Sequence, residues 1–259
     1  MLKTLEHELY EAALKEVDKK RPYLGMSGIG KDCSRALWYG YRNYSPIHFD
    51  GRIKMLFRLG DIIEDEIIRV LNLAEYIVEG SQMTFSDFNG QFRGHCDGYI
   101  KRIDAIFEAK SANTKKFKLF KKNGVKTTYE IYYDQCQCYM GYSEKRRALL
   151  IVYHKDTSEL YTEIIHFDPD RFNELKNKAY NIITHNKPPV REEDAFNCTY
   201  CDFRLVCLEP NEYMHEDNTC GNCEHLVVNE SCHLICNITD KLVPNMNHTC
   251  KNYEYKKGE

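Results

Sequence analysis

The sequence has no long apolar run. None of its hydrophobic stretches approaches the ~20 residues that a helix needs to cross a bilayer, so we expect no membrane span. Residues 2–20 are charged and amphipathic, and they lack the uninterrupted apolar stretch of a secretory signal peptide. We therefore expect a cytoplasmic protein in a reducing, intracellular compartment.

An excess of basic residues is also missing. The chain carries 36 Lys and Arg against 39 Asp and Glu, which gives a formal net charge of −3 and a pI of about 6.4. The overall charge therefore does not mark a nucleic-acid binder. If the protein has such a partner, the surface that meets it has to be local.

Internal repeats and low-complexity segments are absent as well. The 259 residues, 42% of them hydrophobic, suffice for one enzyme-sized domain with a small appendage. Pro188-Pro189 marks a stiff loop that leads into a cysteine-rich tail. We expect one domain over residues 1–210 and a small cysteine-rich module over residues 211–259.

Apolar periodicity predicts helices that flank a mixed β-sheet core. The predicted helices cover residues 2–20, 33–42, 55–73, 130–142 and 168 to about 184. The predicted strands cover residues 76–78, 83–88, 92–100, 105–109, 148–153 and 160–167. This alternation of helices and strands indicates an α/β fold.

Residues 94–110, GHCDGYIKRIDAIFEAK, carry two acidic residues and a lysine in a spacing that can assemble them. A hairpin turning at Arg102-Ile103 places Asp97 opposite Glu108 on the neighbouring strand, and Lys110 points to the same face. Two carboxylates and an ammonium group are costly to bury together, and a divalent cation would relieve that cost. A solvated edge hairpin is the alternative. Phe107 and Ala109 favour an interior strand.

The same residues indicate a reaction. Magnesium prefers oxygen ligands, and such an ion can stabilise charge on a phosphate while it acidifies an attacking water. A lysine beside it can position that water or stabilise the developing charge.

The run GHCDG followed by FEAK resembles motifs II and III of the RecB-like branch of the PD-(D/E)XK nuclease superfamily. The resemblance implies a restriction-endonuclease-like fold. It also implies a Mg²⁺ or Mn²⁺ ion held by Asp97, Glu108 and the backbone carbonyl of Ala109, with Lys110 acting on the nucleophilic water.

Two further segments extend the resemblance. Gly60-Asp61-Ile62-Ile63-Glu64 is similar to the family's helical motif I, in which viral exonucleases more often have Glu where other members have His. This similarity implies that Glu64 completes the metal site, although a solvated glutamate on an amphipathic helix would look the same. Gln135 and Tyr139, four apart on one helix face, resemble the QxxxY motif. The similarity implies contact with a DNA phosphate or the catalytic lysine, with Tyr132 and Gln137 as substitutes.

A basic stretch follows the catalytic lysine. Residues 114–129 contain six lysines and no acidic residue, with Phe117 and Phe120 interleaved. Such a stretch could meet a phosphate backbone near the metal, and a phenylalanine could stack on a base. Alternatively, it is a solvated loop anchored by its phenylalanines. The candidate DNA-binding residues are Lys115, Lys116, Lys118, Lys121 and Lys122, with Lys126 close by.

Eight of the twelve cysteines lie from Cys198 onward, and clustered cysteines in a reducing compartment more often bind metal than form disulfides. Cys198, Cys201 and Cys207 supply three thiolates, and Cys33 is the candidate fourth. One early cysteine with a late C-x2-C-x5-C resembles the iron–sulfur staple of CRISPR-associated nucleases. The resemblance implies a 4Fe-4S cluster, while zinc with the same ligands remains open.

A second group of cysteines follows in the tail, and four of them would suffice for a structural zinc ion. A short tail without a large core needs such a staple to fold. The predicted ligands are Cys220, Cys223, Cys232 and Cys250. The rivals are Cys236, His225 and His233. We interpret Cys96, Cys136 and Cys138 as core-packing thiols.

Together these features predict a metal-dependent DNA nuclease, in particular an exonuclease that acts at DNA ends or on single strands in recombination, repair or end processing. Glu64 favours a phage-type enzyme, and a recombination or replication protein is a possible partner. Two other hypotheses stay open at this point. The chain could be a DNA-binding or assembly module that retains a nuclease fold without turnover, or a zinc-dependent regulatory protein.

Overall fold

The computed structural model describes residues 4–15, 20–44, 50–191, 198–209 and 218–256. The chain divides into two compact units, each assembled from separate segments. The first, here called the sheet unit, comprises residues 1–19, 48–85 and 95–172. The second, the cysteine unit, comprises residues 20–47, 86–94 and 173–259. Residues 211–259 thus belong to a larger unit, whereas the sequence suggested a module of their own.

The described chain contains the five predicted helices and a sixth, over residues 114–128. They are α1 (Leu5–Ala13), α2 (Ser34–Tyr41), α3 (Gly51–Leu73), α4 (Thr114–Thr128), α5 (Glu130–Ser143) and α6 (Pro169–Thr184), followed by a short helical segment, Arg204–Leu208. Within the described ranges, none of these helices is both long and apolar enough to cross a membrane.

Two helix predictions need correction, and the basic stretch, for which no helix was predicted, is helical. The predicted helix 2–20 ends at Ala13 as α1, and residues 1–3 and 16–19 lie outside the described residues. The helix α3 begins four residues before the predicted start, because the Asp50 side chain caps it by accepting the amide of Ile53 at 2.8 Å. The basic stretch 114–128 is the helix α4, capped by Asn113, with a kink at Gly124 where φ is +74°.

A five-stranded mixed sheet organises the sheet unit. Its strands run in the spatial order β2 (Val78–Glu79), β5 (Gly98–Ile100), β6 (Ala105–Ala112), β7 (Arg147–His154) and β8 (Leu160–His166). The β6–β7 pair is parallel, and the other neighbouring pairs are antiparallel. The mixed α/β fold class that the sequence indicates is therefore confirmed.

The two faces of this sheet bury different helices. On one face, Ile63 and Ile67 of α3 pack in one cluster with Phe107 of β6 and Ile151 of β7. On the other face, the buried Phe117 of α4 stacks on His154 of β7, with ring centroids 4.6 Å apart. Strand β6 is therefore interior, as its apolar residues predicted, and polar side chains on it are shielded from water.

The predicted hairpin register is also confirmed. Gly98 pairs with Phe107, Tyr99 with Ile106 and Ile100 with Ala105, so the next position brings Asp97 opposite Glu108. The turn is a 3₁₀ segment, Lys101–Ile103, closed by Asp104 at a φ of +47°. The predicted continuous strand 92–100 is instead divided at Asp97 into β4 (Phe92–Cys96) and β5.

The cysteine unit has little regular structure, and it is held by aromatic rings and side-chain hydrogen bonds. Trp38, Tyr39 and Tyr44 lie in mutual contact, with ring centroids 5.1 to 5.4 Å apart. The Trp38 indole donates to the carbonyl of His185 at 2.7 Å. A small antiparallel sheet of β9 (Leu226–Val228), β10 (Leu234–Cys236) and β11 (Lys241–Leu242) forms the tail.

Candidate active site and cysteine clusters

Strand β6 presents Glu108 and Lys110 on the same face, because residues two apart on a strand point the same way. Glu108 is only 1% exposed. Its Oε1 atom accepts hydrogen bonds from the Lys110 ammonium group and from the Gln135 amide, the latter at 2.7 Å. One carboxylate oxygen is thereby fixed by two donors on two different elements.

Asp97 reaches the same strand through a backbone hydrogen bond. Its Oδ2 atom accepts a hydrogen bond from the backbone amide of Ala109 at 2.7 Å. In an unbroken strand, a backbone carbonyl would accept that amide instead. The Asp97 side chain is 8% exposed. This bond explains why the strand breaks at Asp97, and it brings the carboxylate beside β6 at the residue between Glu108 and Lys110.

Gly98 permits the close approach of β2 to this strand break. A Cβ atom at Gly98 would lie 2.3 Å from Cγ1 of Val78, which is closer than a side chain can tolerate. The position of Asp97 is therefore fixed on two sides. Gly98 next to it packs closely against β2, and the Ala109 amide of β6 bonds its carboxylate.

Glu64 approaches the acidic pair from α3. It accepts a hydrogen bond from the side-chain amide of Gln82 at 3.0 Å. Burial, followed by the negative charge of Asp97, raises the pKa of Glu64 to about 7. The structure thus places Glu64 within electrostatic range of Asp97, while Gln82 was not foreseen because it lies in a turn with φ of +58° and no recognisable motif.

Burial makes it unfavourable for the carboxyl groups of this site to be ionised at the same time. Burial raises the pKa of Glu108 to about 8, and Lys110 only partly opposes that rise. Burial also raises the pKa of Asp97. Lys110 keeps its proton, because the attraction of Glu108 and Asp97 outweighs burial and lifts its pKa above the ordinary value.

One atom of the site has its hydrogen-bonding capacity unfilled. Oε2 of Glu108 is buried and has no hydrogen-bond partner in the described structure, which costs roughly 1–3 kcal/mol for a buried polar group and more for a charged one. As the side chains are placed, no three His, Cys, Asp or Glu residues in the described ranges are grouped closely enough to hold a metal ion. The Glu108 oxygen without a partner, within electrostatic range of Asp97 and Glu64, would nonetheless fit a divalent cation.

Gln135 and Tyr139 have a different role from the predicted one. Both side chains are buried, 4% and 1% exposed, so they do not face a substrate. The Nε2 atom of Gln135 donates to Oε1 of Glu108 at 2.7 Å and to the hydroxyl oxygen of Tyr139 at 2.9 Å. The expectation of a direct DNA contact is therefore corrected: the pair orients Glu108.

The neighbouring polar residues of α5 are structural. Asp134 is fully buried and pairs with Arg171 through two hydrogen bonds of 2.7 Å. Gln137 donates to the carbonyl of His166 at 2.9 Å and accepts the amide of Asp168 at 2.8 Å. Gln137 is thus not the substitute site residue that a shifted register would require.

Tyr132 lies between Lys110 and α4. Nζ of Lys110 lies 5.1 Å from the centroid of the Tyr132 ring, and Nζ of Lys116 lies 5.4 Å from the same ring. Lys116 also sits 3.2 Å from the centroid of Tyr129. Two ammonium groups therefore flank one aromatic ring at the border of the site.

The remaining lysines of α4 differ in their surroundings. Lys121 pairs with Glu159 at 2.9 Å, so its charge is already balanced. Lys115, Lys118 and Lys122 are exposed and share one helix face through their spacing of three and four residues. The phenylalanines that could have stacked on bases are buried instead: Phe117 and Phe120 anchor α4 to the sheet.

The first cysteine set lines one cavity of the cysteine unit. Cys33, Cys198, Cys201 and Cys207 all border it, together with Tyr39 and Phe203. The sulfur of Cys33 accepts the amide of Ala36 at 3.4 Å, which caps α2. Burial raises the pKa of Cys201, and the nearby Cys33 and Cys198 add to the rise. The structure thus brings together the four cysteines that the sequence grouped.

The second set assembles around Cys220 with a changed member. Cys220 hydrogen-bonds Cys250 and lies within electrostatic range of Cys223 and Cys236, and burial together with these thiols raises its pKa to about 12. Cys232 is elsewhere: burial and the nearby Asp87 raise its pKa, and no other cysteine contributes. Cys236, the predicted rival, therefore lies near Cys220, whereas Cys232 lies near Asp87.

The other three cysteines lie in the interior. Cys96, Cys136 and Cys138 are fully buried. Burial raises the pKa of each thiol, and Glu108 adds to the rise at Cys96 and Cys136. Such thiols stay protonated and pack as small apolar groups.

Comparison with known proteins gives a likeness of architecture only. No family model matches the chain, and no curated protein matches its sequence. The solved structure of SSO0001 is 16% identical, covers 80% of this chain and 97% of its own, and has a TM-score of 0.49. An alkaline exonuclease, LHK-Exo from Laribacter hongkongensis, is 14% identical, with 68% and 90% coverage and a TM-score of 0.49. A phage-related exonuclease from Haemophilus somnus 129PT is 15% identical, with 47% and 66% coverage and a TM-score of 0.39.

The hydrogen bonds that join Tyr139, Gln135 and Glu108 predict that substitutions at Tyr139 and Gln135 have non-additive effects on the free energy of unfolding. Tyr139→Phe removes the hydroxyl that contacts Gln135, so we expect a loss of ~1 kcal/mol in the free energy of unfolding. In a Gln135→Leu background the hydroxyl has already lost this partner, so the same change should cost nothing. Urea unfolding of the four proteins measures the coupling. Independent, additive losses would contradict the described network.

Proposed function

We propose that the protein is a nuclease that hydrolyses DNA phosphodiester bonds with a Mg²⁺ or Mn²⁺ ion, acting at DNA ends or in single strands. The carrying observation is the state of Glu108. One of its oxygens is fixed by Lys110 and Gln135, and the other is buried without a partner. A hard divalent cation is the group that would satisfy that oxygen together with Asp97.

The donor set supports this choice of ion. Glu64, Asp97 and Glu108 offer carboxylate oxygens, which Mg²⁺ and Mn²⁺ prefer. We include the backbone carbonyl of Ala109 as a further ligand, because the Ala109 amide is tied to Asp97 and the residue lies between Glu108 and Lys110. When bound, such an ion polarises the scissile phosphate and acidifies a water molecule.

Lys110 is positioned for the proton and charge movements of hydrolysis. Its ammonium group is bonded to Glu108 on one side and lies over the Tyr132 ring on the other. It therefore stays charged beside the carboxylates, where it can orient an attacking water or stabilise the negative charge that develops on the phosphate. Gln135 keeps Glu108 from rotating away from this lysine.

The exposed lysines of α4 suit a nucleic-acid backbone. Lys115, Lys118 and Lys122 share a face, and Lys116 reaches the Tyr132 ring that also contacts Lys110. Phosphate groups along this face would be led to the acidic site, and each phosphate contact adds salt-dependent affinity. Lys121 contributes less, because Glu159 already balances its charge.

We further propose that Cys33, Cys198, Cys201 and Cys207 hold a 4Fe-4S cluster, with zinc as the competing occupant. The fit is supported by their shared cavity and by backbone amides that donate to two of the sulfurs, Ala36 to Cys33 and Phe203 to Cys201. Such amide donors stabilise metal-bound thiolates. The group would tie residue 33 to residues 198–207 and close a very long loop of the chain.

Lys110→Ala tests the catalytic proposal. We expect the rate on linear DNA with Mg²⁺ or Mn²⁺ to fall by roughly 100- to 1000-fold, the usual effect of losing one group that stabilises transition-state charge. End-labelled single- and double-stranded substrates report both the rate and the position of cleavage. Lys241→Ala, which removes an exposed lysine from β11, is the matched control and should behave as wild type.

The outcomes separate catalysis from binding. Lys118→Ala should raise KM and lower the slope of log affinity against log salt by about 0.9 on duplex DNA, while kcat stays near the wild-type value. Wild-type activity in Lys110→Ala would contradict the catalytic role of this lysine. Absence of cleavage by the wild-type protein with both ions would contradict the nuclease proposal.

Anaerobic purification tests the identity of the first cysteine group. We expect a brown protein with about four iron and four sulfide per chain, because a cubane cluster contains four of each. Cys201→Ala should lose the colour and the iron, while Cys138→Ala, which removes a buried thiol of the sheet unit, should keep both. If protein grown with both metals contains no iron, and if its zinc content falls by one ion in Cys201→Ala, a zinc site replaces the cluster.

A further inference from the structure

The tail cysteines occupy two ends of one small hairpin. Strand β10 pairs with β9 so that Cys236 lies opposite Leu226. Because Leu226 comes only three residues after Cys223, Cys236 and Cys223 are at the same end of the hairpin. Cys232 lies in the turn at the other end, where its amide donates to the carbonyl of Asn229 at 2.8 Å. At ~3.3 Å per strand residue, the four residues from Cys232 to Cys236 span roughly 13 Å.

Cys220, Cys223 and Cys250 converge on the end that carries Cys236. The amide of Cys223 donates to the carbonyl of Cys220 at 3.2 Å, so these two lie in one turn. The amide of Cys220 donates to the carbonyl of His248 at 2.6 Å, two residues before Cys250. Strand pairing and two backbone bonds thus gather four cysteines from three separate stretches of chain.

Hydrogen-bond donors surround the sulfur of Cys236. The Thr239 hydroxyl donates to it, as do the backbone amides of Thr239 and Ile238. The tight turn after β10 directs these donors, since the carbonyl of Cys236 accepts the amide of Asp240 at 2.8 Å. Cys232 lies at the other end of the hairpin, where Asp87 is nearby.

We infer that Cys220, Cys223, Cys236 and Cys250 bind one structural zinc ion, and that Cys232 does not take part. Four thiolates at one point are the donor set of a closed tetrahedral zinc site, with bonds of ~2.3 Å. As the side chains are placed, no three of the described His, Cys, Asp or Glu residues are grouped closely enough to hold a metal ion, so zinc binding would require the exposed Cys250 to turn toward the other three thiols. This site needs neither the carboxylates nor nuclease activity.

The zinc site would secure the tail to the helix α2. The side-chain amide of Asn43 donates to Asn247 at 2.7 Å, and the Tyr44 hydroxyl donates to the carbonyl of Lys256 at 2.9 Å. Gly221 lies between Cys220 and Cys223 and packs against the backbone of Arg42. A Cβ atom at this position would be 2.8 Å from the carbonyl oxygen of Arg42. Zinc would hold that turn in place, because the three short strands bury too little surface to do so alone.

Metal analysis of the full chain tests the ligand set with a matched pair of variants. Cys236→Ser and Cys232→Ser remove one thiol each from the same hairpin. We expect Cys236→Ser to contain one zinc equivalent less than the wild type, and Cys232→Ser to keep the wild-type content. Equal zinc content in the two variants, whether both keep or both lose the ion, would overturn the inference.

Cysteine alkylation of the wild-type protein covers the case in which Cys236→Ser fails to fold. Peptide mass spectrometry before and after chelation should show that Cys220, Cys223, Cys236 and Cys250 become reactive together when zinc is removed, while the reactivity of Cys232 stays the same. Unchanged reactivity of the four cysteines, or a Cys220–Cys250 disulfide in freshly purified protein, would contradict the site.

Discussion

The carboxylate of Glu108 is the constraint on which the proposed chemistry depends. A carboxylate on an interior strand is expensive to bury, and this one has an ammonium group and an amide on one oxygen and no partner on the other. Neighbouring residues on β5 and α5 fix the position of this carboxylate and of the strand that carries it. Asp97 interrupts its own strand to reach the amide of Ala109, and Gln135 is held by Tyr139 so that it can hold Glu108. A cation at this point would turn a costly cluster into a stable one.

Much of this arrangement could be predicted from local patterns. The hairpin register follows from a short turn and alternating side chains, so the opposition of Asp97 and Glu108 could be read from the chain. The helix α5 follows from its length and periodicity, but the direction of Gln135 does not. Whether an amide faces solvent or a buried carboxylate depends on packing between α5 and β6, which no local pattern contains.

Other features could not be predicted, each for a physical reason. The helix α4 was hidden because six lysines and Gly124 obscure its apolar spacing, and because only three of its residues, Phe117, Phe120 and Val125, are buried. The choice between Cys232 and Cys236 depended on the hairpin turn at residues 229–233, which sends the two thiols to opposite ends. Gln82 reaches Glu64 from a left-handed turn position that carries no motif.

The two cysteine groups share a relation to α2. Cys33 caps the start of that helix and lines the cavity of the first group. Asn43 and Tyr44, just past its end, bond the tail that carries the second group. Thiolate-bound metals at both places would fix the two ends of one short helix whose aromatic residues form the core of the cysteine unit.

Calorimetric titration of the chelator-treated protein with Mn²⁺ tests most directly whether Glu108 is a metal ligand. The account predicts saturable binding by the wild type and at least ~10-fold weaker binding by Glu108→Gln, since even groups that only orient a ligand contribute 10- to 100-fold to metal affinity. Glu66→Gln, an exposed glutamate on α3 paired with Arg69, should bind as the wild type does. Equal Mn²⁺ affinity in the wild type and Glu108→Gln would contradict the account.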